Sequence, residues 1–344
     1  MWAVLGFLAV VQGFEVQLTR QLVQVQPGSR KAQKVAFVGN LTFGDQLFSV
    51  VFDTGSGHLL LPSASCRSAT CARHRRYSRK VSSTMVDINS DGTRVADPAG
   101  ERDQLTVSFG TGTATGILVR DQLCLDTCKP LDAVVAIEMS EHPFAQFDFD
   151  GVLGLGLRAL SQGPGFNFLG RWGPEAFRMS LGERPRIDFG AAARGGITTW
   201  QQVQHPELGH WLIPIQGVRV AGVLQSFCAE GCAALVDSGT SAIGLPRALG
   251  AGLMPTLRAP GCRGPAVEIE LPGQVLRLGA REYARVDRED CDPAVMLYKS
   301  LGPLGNKVLI LGEPVLRKYD AVFDPINHRL AFADRAAPGE VVAV

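Results

Sequence analysis

The 344-residue sequence predicts a mainly β protein made of two homologous lobes with a cleft between them. Three observations predict this fold class: a motif that occurs twice, about half a chain apart, a dense series of short apolar runs, and a scarcity of long amphipathic helices. The short runs include residues 105–109, 133–137 and 321–324, and 39 glycines and 20 prolines punctuate the chain. Helices are expected to be few and short, for example from residue 246 to about residue 254.

The repeated motif is Asp53-Thr54-Gly55-Ser56 in the first half and Asp237-Ser238-Gly239-Thr240 in the second. Each copy ends a strand-like apolar run, and each is followed later by a second apolar run that closes on Leu-Gly, at 152–154 and 310–312. The period of 184 residues, from position 53 to position 237, is far too long for a solenoid. We therefore expect an N-terminal lobe at 34–195 and a C-terminal lobe at 196–340, with the boundary in the glycine-rich segment 190–199.

Composition and charge narrow the functional class. Hydrophobic residues make up 46% of the chain and charged residues 19%, enough for a sizeable core. A formal net charge of +1 provides no overall field that would attract nucleic acid or an acidic membrane. The basic run at 73–76, with Arg79 and Lys80 beyond it, is interpreted as a solvated loop, since Tyr77 is the only aromatic residue nearby. No nucleic-acid partner is predicted.

Residues 1–13 form an apolar stretch that is too short to span a bilayer and is typical of a signal peptide, with cleavage after Gly13. The alternative is a buried first strand. A signal peptide predicts a secretory-pathway protein, extracellular or in a lysosome- or vacuole-like compartment, without stable membrane insertion. Residues 14–33 alternate in part like an edge strand, and the sequence leaves open whether they are a short prosegment or a strand of a sheet between the lobes.

Eight cysteines fall in four groups that are close in sequence: Cys66 and Cys71, Cys124 and Cys128, Cys228 and Cys232, Cys262 and Cys291. Many pairings are open, but the even count and the signal peptide favour disulfides, and the three short spacings favour nearest-neighbour closure. A zinc site is the competing interpretation. Because Cys-x-x-Cys spacing and a His-x-x-x-His pair are both missing, the sequence predicts no metal and no cofactor.

A single Asp-Thr-Gly is most simply a turn, but two copies in equivalent positions of a duplicated fold point to chemistry. A pseudo-twofold axis would bring Asp53 and Asp237 together, and carboxylates a few ångströms apart share one proton because they cannot both ionise. The ionised member can then take a proton from water while the other donates to a carbonyl oxygen. Around the pair, glycines allow tight turns and hydroxyls can orient the carboxylates; these supporting residues are Thr54, Gly55, Ser56, Ser238, Gly239 and Thr240.

With these motifs, the sequence resembles the pepsin and cathepsin D family of aspartic peptidases from about residue 34 to about residue 334. The two aspartate loops resemble its active-site loops, and segments 149–156 and 310–312 resemble the strands that thread each lobe. The cysteine loops at 66–71 and 228–232 resemble its small disulfide loops, and Cys262 with Cys291 its long bridge. The resemblance implies a bilobal pepsin-like aspartic protease fold. The small loop closed by Cys124 and Cys128 is not typical of pepsin and is interpreted as stabilising the end of a strand.

The same resemblance implies that the hairpin containing Phe109, Gly110 and Thr111 is a flap that closes over bound peptide. Phe109 stands where the family usually has tyrosine, and Leu60 where it has tryptophan. Those two family residues are linked through a hydrogen bond, so we expect a more apolar and more mobile flap, with activity retained but weaker or altered. Glu313 replaces a common aspartate and is expected to shift the pKa of the second catalytic carboxyl.

The sequence therefore predicts an aspartic endopeptidase that hydrolyses peptide bonds in proteins, with an acidic pH optimum. Val51, Phe149 and Val152 are expected to form apolar walls, implying hydrophobic residues at the scissile bond. The expected partner is a peptide or protein substrate, and the chain is expected to be monomeric. The rival hypothesis is a catalytically weak or inactive pepsin-like protein that binds peptide or inhibits another enzyme; intact Asp and Gly in both loops favour the enzyme. A serine or metallo hydrolase would need motifs that the sequence lacks.

Overall fold

The computed structural model describes residues 13–335 except 26–31, 98–99, 111, 229, 259 and 288–289. The predicted signal peptide, apart from Gly13, lies outside the described residues. Strands dominate the first half of the chain: β1 (Phe14–Gln17), β2 (Thr19–Val25), β3 (Ala32–Phe43), β4 (Gln46–Asp53), β5 (Leu59–Pro62), β6 (Val86–Asp87), β7 (Gln104–Phe109), β8 (Gly112–Cys124), β9 (Cys128–Met139), β10 (Gly151–Gly154), β11 (Phe177–Ser180) and β12 (Arg186–Phe189).

Strands also dominate the second half: β13 (Gln201–Gln202), β14 (Leu212–Ile215), β15 (Gly217–Val220), β16 (Val223–Leu224), β17 (Cys232–Val236), β18 (Ile243–Pro246), β19 (Val267–Leu271), β20 (Gln274–Leu278), β21 (Ala284–Asp287), β22 (Asp290–Pro293), β23 (Val295–Tyr298), β24 (Val308–Leu311), β25 (Tyr319–Asp324) and β26 (Arg329–Asp334). The mainly β prediction is confirmed.

Helices are short, as predicted: α1 (Ala69–Ala72), α2 (Phe168–Trp172), α3 (Arg247–Gly250), α4 (Met254–Leu257), α5 (Ala280–Tyr283) and α6 (Glu313–Lys318), with single 3-10 turns between other elements. The helix expected from 246 to about 254 is shorter than predicted: α3 ends at Gly250, and α4 is a separate turn of helix that begins at Met254. Gly250 at the end of α3 packs so closely that an added Cβ would lie 2.5 Å from a methyl carbon of Leu297. Among the described residues, no helix is long and apolar enough to cross a bilayer.

The two copies of the repeated motif sit in equivalent strand arrangements. In the first half, β4 runs parallel to β10, with Asp53 opposite Gly154, and β10 is antiparallel to β5. In the second half, β17 runs parallel to β24, with Val236 opposite Leu311, and β24 is antiparallel to β18. Asp53 ends β4 and Asp237 directly follows β17, and the partner strand of each ends at its Leu-Gly pair. This pattern agrees with the bilobal pepsin-like fold that the sequence predicts.

A six-stranded sheet takes strands from both halves of the chain, in the order β1-β12-β11-β25-β26-β13. Strand β1 pairs with β12, and the ring of Phe14 stacks on Phe189 with centroids 4.6 Å apart. In the middle of the sheet, Phe177 of β11 stacks on Phe323 of β25 at the same distance. Segment 14–17 thus forms a strand of the sheet to which both halves contribute, one of the two alternatives for this region. The exact lobe boundaries stay predictions.

All four cysteine pairs form disulfides, Cys66–Cys71, Cys124–Cys128, Cys228–Cys232 and Cys262–Cys291, as predicted. The Cys124–Cys128 bridge closes the exposed turn between β8 and β9, where Asp126 and Thr127 face solvent. The turn lies at the end of a long hairpin in the nine-stranded sheet of the first half.

Candidate active site

The side chains of Asp53 and Asp237 lie next to each other at the ends of β4 and β17. Each carboxylate also covers the glycine of the opposite loop. An added Cβ on Gly55 would lie 2.7 Å from Oδ1 of Asp237, and one on Gly239 would lie 2.5 Å from Oδ1 of Asp53. The two loops can therefore meet because neither glycine carries a side chain.

Each carboxylate accepts a backbone hydrogen bond within its own loop. The N–H of Gly55 donates to Oδ1 of Asp53 at 2.9 Å, and the N–H of Gly239 donates to Oδ1 of Asp237 at 2.8 Å. The hydroxyl of Thr240 donates to Oδ2 of Asp237 at 2.6 Å. These bonds hold each carboxylate in a defined plane.

Ser56 occupies the position in the first loop that corresponds to Thr240 but is bonded differently. Its hydroxyl oxygen is buried and, in the observed geometry, has no hydrogen-bond partner among the described residues. It is nevertheless close enough to Asp53 to lower the pKa of that carboxyl. The two loops are therefore similar in backbone but unequal in the hydroxyl support of their carboxylates.

Thr54 and Ser238 join the two loops by reciprocal hydrogen bonds. The N–H of Thr54 donates to Oγ of Ser238, and the N–H of Ser238 donates to Oγ1 of Thr54, both at 3.0 Å. Each hydroxyl in turn donates to a carbonyl of the other half, Thr54 to Val236 at 2.9 Å and Ser238 to Phe52 at 2.7 Å. The sequence grouped both residues with the catalytic pair without showing this role; the signal was a hydroxyl residue directly after each aspartate.

The environment of Asp53 raises the pKa of its carboxyl well above the ordinary value. Burial is the main cause, since it disfavours the charged form, and the negative charge of Asp237 adds to it. The hydrogen bond from Gly55 acts in the opposite direction and is outweighed. The site can therefore retain one proton at a pH where an exposed aspartate has lost its own.

The predicted flap is the hairpin of β7 and β8. Its turn contains Gly110 with a φ of +50°, a left-handed conformation that suits glycine, whereas Thr111 lies outside the described residues. The ring of Phe109 is half-buried and packs edge-on against Phe144, with centroids 5.4 Å apart. Leu60 is fully buried in β5 opposite Val152. Phe109 thus rests on an apolar surface, with no hydroxyl to bond.

The three predicted apolar wall residues belong to a cluster beneath the flap. Val51, Phe149 and Val152 are 4–6% exposed and pack in the same apolar cluster, against which Phe109 rests. In this structure they therefore support the flap region, and direct contact between their side chains and a substrate stays a prediction.

Glu313 lies directly behind the second loop, at the start of α6. Its backbone N–H donates to the carbonyl of Thr240 at 2.8 Å. Its buried carboxylate forms an ion pair with Arg317, one helical turn further on, at 3.1 Å. The negative charge of Glu313 therefore has a cationic partner of its own, while its backbone braces the loop of Asp237.

Trp211 is a site residue that the sequence did not single out. Its indole N–H donates to the carbonyl of Leu155 at 2.9 Å, and the N–H of Leu155 donates to the carbonyl of Asp53 at 2.7 Å. The carbonyl of Trp211 accepts a bond from the N–H of Val236 at 3.0 Å. A fully buried tryptophan thereby connects the backbones of both loops. A lone tryptophan before an apolar run carries little signal in a sequence, because its partners are distant along the chain.

Comparison with known proteins gives concordant results. The sequence pattern of the eukaryotic aspartyl protease family matches residues 36–335. Similar proteins include gastricsin from Cavia porcellus, 28% identical over 333 residues that cover 88% of this chain and 80% of the relative. Cathepsin E from Rattus norvegicus is 29% identical over 332 residues, which cover 86% and 79%. Gastricsin from Homo sapiens is 26% identical over 332 residues, which cover 88% and 82%.

Proposed function

The chain belongs to the eukaryotic aspartyl protease family, and from this premise we propose that it is an active aspartic endopeptidase whose catalytic residues are Asp53 and Asp237. One observation carries the proposal. Two aspartate loops from opposite halves of the chain meet, hold their carboxylates side by side and are locked together by the Thr54–Ser238 bonds. Residues whose pKa is shifted by burial and a like charge are typical of acid–base catalysis.

The proposed reaction uses one protonated and one ionised carboxyl group. Asp53 holds the shared proton because it is buried, and Asp237 is the carboxylate that accepts two hydrogen bonds. Asp237 removes a proton from a bound water, the water oxygen attacks the peptide carbonyl carbon, and Asp53 gives its proton to the carbonyl oxygen. When the C–N bond then breaks, the amine nitrogen takes the proton from Asp237, and a hydroxyl proton of the intermediate returns to Asp53.

The apolar surroundings of the flap support a preference for hydrophobic residues beside the scissile bond. Phe109 and its underlying cluster offer no charged group to a substrate side chain. The natural substrates are accordingly peptides or proteins, and we assign the chain to a monomeric enzyme of the secretory pathway, extracellular or in a lysosome-like compartment. The four disulfides support that assignment, because such bonds persist in oxidising compartments.

A catalytically weak or inactive peptide-binding protein is the second candidate, favoured by one observation. Leu60 lies in an apolar cluster and Phe109 packs against it, so neither brings the polar group of the tryptophan and tyrosine that the family resemblance implies at these positions. The carboxylate pair itself is complete, so the enzyme remains the proposed function.

The test is hydrolysis of a quenched-fluorescence peptide library between acidic and neutral pH, with and without pepstatin. Asp53→Asn and Asp237→Asn are each expected to abolish cleavage, because each removes one of the two proton-transfer groups. Asp45→Asn is the matched control: Asp45 is exposed in the turn before β4, and its backbone at a φ of +61° tolerates asparagine. Cleavage that survives Asp53→Asn refutes the proposal, and pepstatin binding without cleavage identifies the peptide-binding protein.

A further inference from the structure

Residues 157–162, which follow β10, lie directly against the loop that begins at Asp53. The contact is so close that an added Cβ on Gly57 would lie 2.5 Å from the carbonyl carbon of Leu160. The hydroxyl of Ser161 donates a hydrogen bond to the carbonyl of Gly57 at 2.7 Å. Because the two segments pack without a gap, a shift of residues 157–162 changes the support of the catalytic loop.

The ring of His58 forms a second bond between the same two segments. The backbone N–H of Gln162 donates to Nε2 of His58 at 2.8 Å, and the ring packs edge-on against Phe166 with centroids 5.7 Å apart. His58 is only 9% exposed, so water cannot easily replace this bond. A ring nitrogen that accepts a hydrogen bond carries no proton of its own. The His58–Gln162 bond therefore exists only while the imidazole is neutral, with its proton on Nδ1.

Protonation of His58 abolishes this bond. In the imidazolium both ring nitrogens are donors, so Nε2–H would face the N–H of Gln162 and neither could accept. Burial opposes the charged form and lowers the pKa of His58 to about 4. The His58–Gln162 bond is accordingly present in weak acid and lost in stronger acid.

No charged neighbour is bonded to this ring. The other charged or titratable side chains on the elements around His58, or directly adjoining them, are Asp53, Asp132, Asp150, Arg158, Arg171 and His210. Asp132 is ion-paired with Arg120, Asp150 accepts two backbone N–H groups, and Arg158 and Arg171 are exposed. Within the described part of the chain, none of the six forms a hydrogen bond or ion pair with the ring of His58. Burial, not a nearby charge, thus opposes its protonation.

We infer that His58 is a positioning residue for Asp53: its neutral ring ties residues 157–162 to the catalytic loop, and protonation of the ring releases them and limits activity in acid. The inference rests on the proposed function for its kinetic consequence. It requires no contact between His58 and the substrate. The acidic limb of the rate profile then has two causes, protonation of the Asp237 carboxylate and loss of the His58–Gln162 bond.

The first test compares kcat/KM at pH 3 and pH 5 in the wild type and in His58→Gln. The amide oxygen of glutamine can accept the N–H of Gln162 in place of Nε2, but it does not titrate. With a pKa of about 4, the neutral fraction of His58 falls about tenfold between these pH values. His58→Gln is therefore expected to keep about three- to tenfold more of its pH 5 activity at pH 3 than the wild type keeps.

His328→Asn is the matched control, because His328 is exposed in the turn between β25 and β26 and its φ of +48° suits asparagine. It is expected to follow the wild type at both pH values. Circular dichroism at each pH verifies that the proteins compared are folded. Equal loss of activity between pH 5 and pH 3 in the wild type and in His58→Gln overturns the inference.

A second variant separates positioning from titration. His58→Ala removes the acceptor at every pH, so its kcat/KM at pH 5 is expected to be at least about threefold below that of His58→Gln, because a displaced catalytic group slows the reaction. Its further loss between pH 5 and pH 3 should equal that of His58→Gln. A folded His58→Ala that is as active as the wild type at pH 5 shows that the bond does not position Asp53.

A third test uses no enzymatic activity. NMR of the wild type is expected to show an unprotonated Nε2 in His58 at pH 6, and the amide signal of Gln162 should titrate together with the ring, with a midpoint near pH 4. A ring already protonated at pH 6, or a Gln162 amide that does not respond when the ring titrates, overturns the inference.

These tests separate the inference from the proposed function. A wild-type protein that cleaves no peptide refutes the proposed function, and the NMR titration then still decides whether the neutral ring of His58 holds Gln162. A wild-type protein that cleaves peptides, with the same loss of activity in acid as His58→Gln, refutes the role of His58 alone.

Discussion

Replacing Thr54 with valine removes the hydroxyl that joins the two halves of the active site. Valine has nearly the same shape, so packing is largely retained. The change deletes the donor to the carbonyl of Val236 at 2.9 Å and the acceptor for the N–H of Ser238 at 3.0 Å. Thr54 is fully buried and Ser238 nearly so, and water therefore cannot easily replace the lost partner. Two backbone groups are left unpaired in the interior.

The expected loss of unfolding free energy follows from these two groups. A buried donor or acceptor left without a partner costs about 1–3 kcal/mol, so losing two partners is expected to lower the free energy of unfolding of Thr54→Val by about 2–6 kcal/mol. Activity is expected to suffer as well, because the reciprocal bonds fix the separation of the carboxylates. A displacement of 1 Å in such a pair can cost roughly 100-fold, and we expect kcat/KM to fall at least tenfold.

Denaturant unfolding and peptide hydrolysis measure the two effects. Thr127→Val is the matched control, since Thr127 is exposed in the β8–β9 turn and its side-chain hydrogen bond to Asp126 is long at 3.4 Å. The control is expected to change stability by less than about 0.5 kcal/mol. If Thr54→Val is as stable and as active as Thr127→Val, the reciprocal bonds do not hold the site together and the reasoning fails.

Four further outcomes are expected. Activity should decline as the pH rises through the raised pKa of Asp53, because the pair then loses its shared proton; a rate profile with its optimum above neutrality contradicts this. The raised pKa of Asp53 stabilises the folded protein fully below pH 3.8, the ordinary pKa of an aspartate, and this stabilisation is lost as the pH rises through the pKa in the folded state. Asparagine stays neutral at every pH. Asp53→Asn should therefore resist denaturant better than the wild type at neutral pH, and equal or lower resistance contradicts this. Phe109→Tyr should match or exceed the wild type in kcat/KM, since it restores the residue type that the family resemblance implies at this position of the flap; a sharp loss of activity counts against our account. Replacing Cys124 and Cys128 together with serine should cost about 2 kcal/mol of unfolding free energy and leave kcat/KM within twofold, as expected for a short loop on the surface; a large loss of activity would connect that turn to the site.

The sequence predicted those features whose signals lie close together along the chain. The two Asp-Thr/Ser-Gly turns, the apolar strands before them and the cysteine pairs are local patterns. Proton transfer needs the aspartates, the tight turns need the glycines, and disulfides need the cysteines. The duplication then predicted one long-range contact, between the two aspartates, because equivalent segments of two similar halves can meet around one axis. The fold class and the four disulfides followed from this information.

What the sequence did not predict depends on distant pairings. The sequence left a strand of a sheet between the lobes open for residues 14–33, but nothing local to Phe14 or Phe177 indicates that β1, β11 and β12 join β25 and β26 in one six-stranded sheet. The position of Trp211 between the loops depends equally on tertiary contacts. The helix expected from residue 246 to about residue 254 begins as predicted but ends earlier, at Gly250, where the chain packs closely against Leu297.

The central claim is that two carboxyl groups from opposite halves of the chain share one proton. NMR titration of carboxyl-labelled aspartate in the wild type and in Asp237→Asn tests it most directly. We expect the pKa of Asp53 to be well above 3.8 in the wild type and to fall when Asp237 loses its charge, while remaining elevated by burial. An Asp53 that titrates near 3.8 in the wild type, or identically in both proteins, would contradict the account.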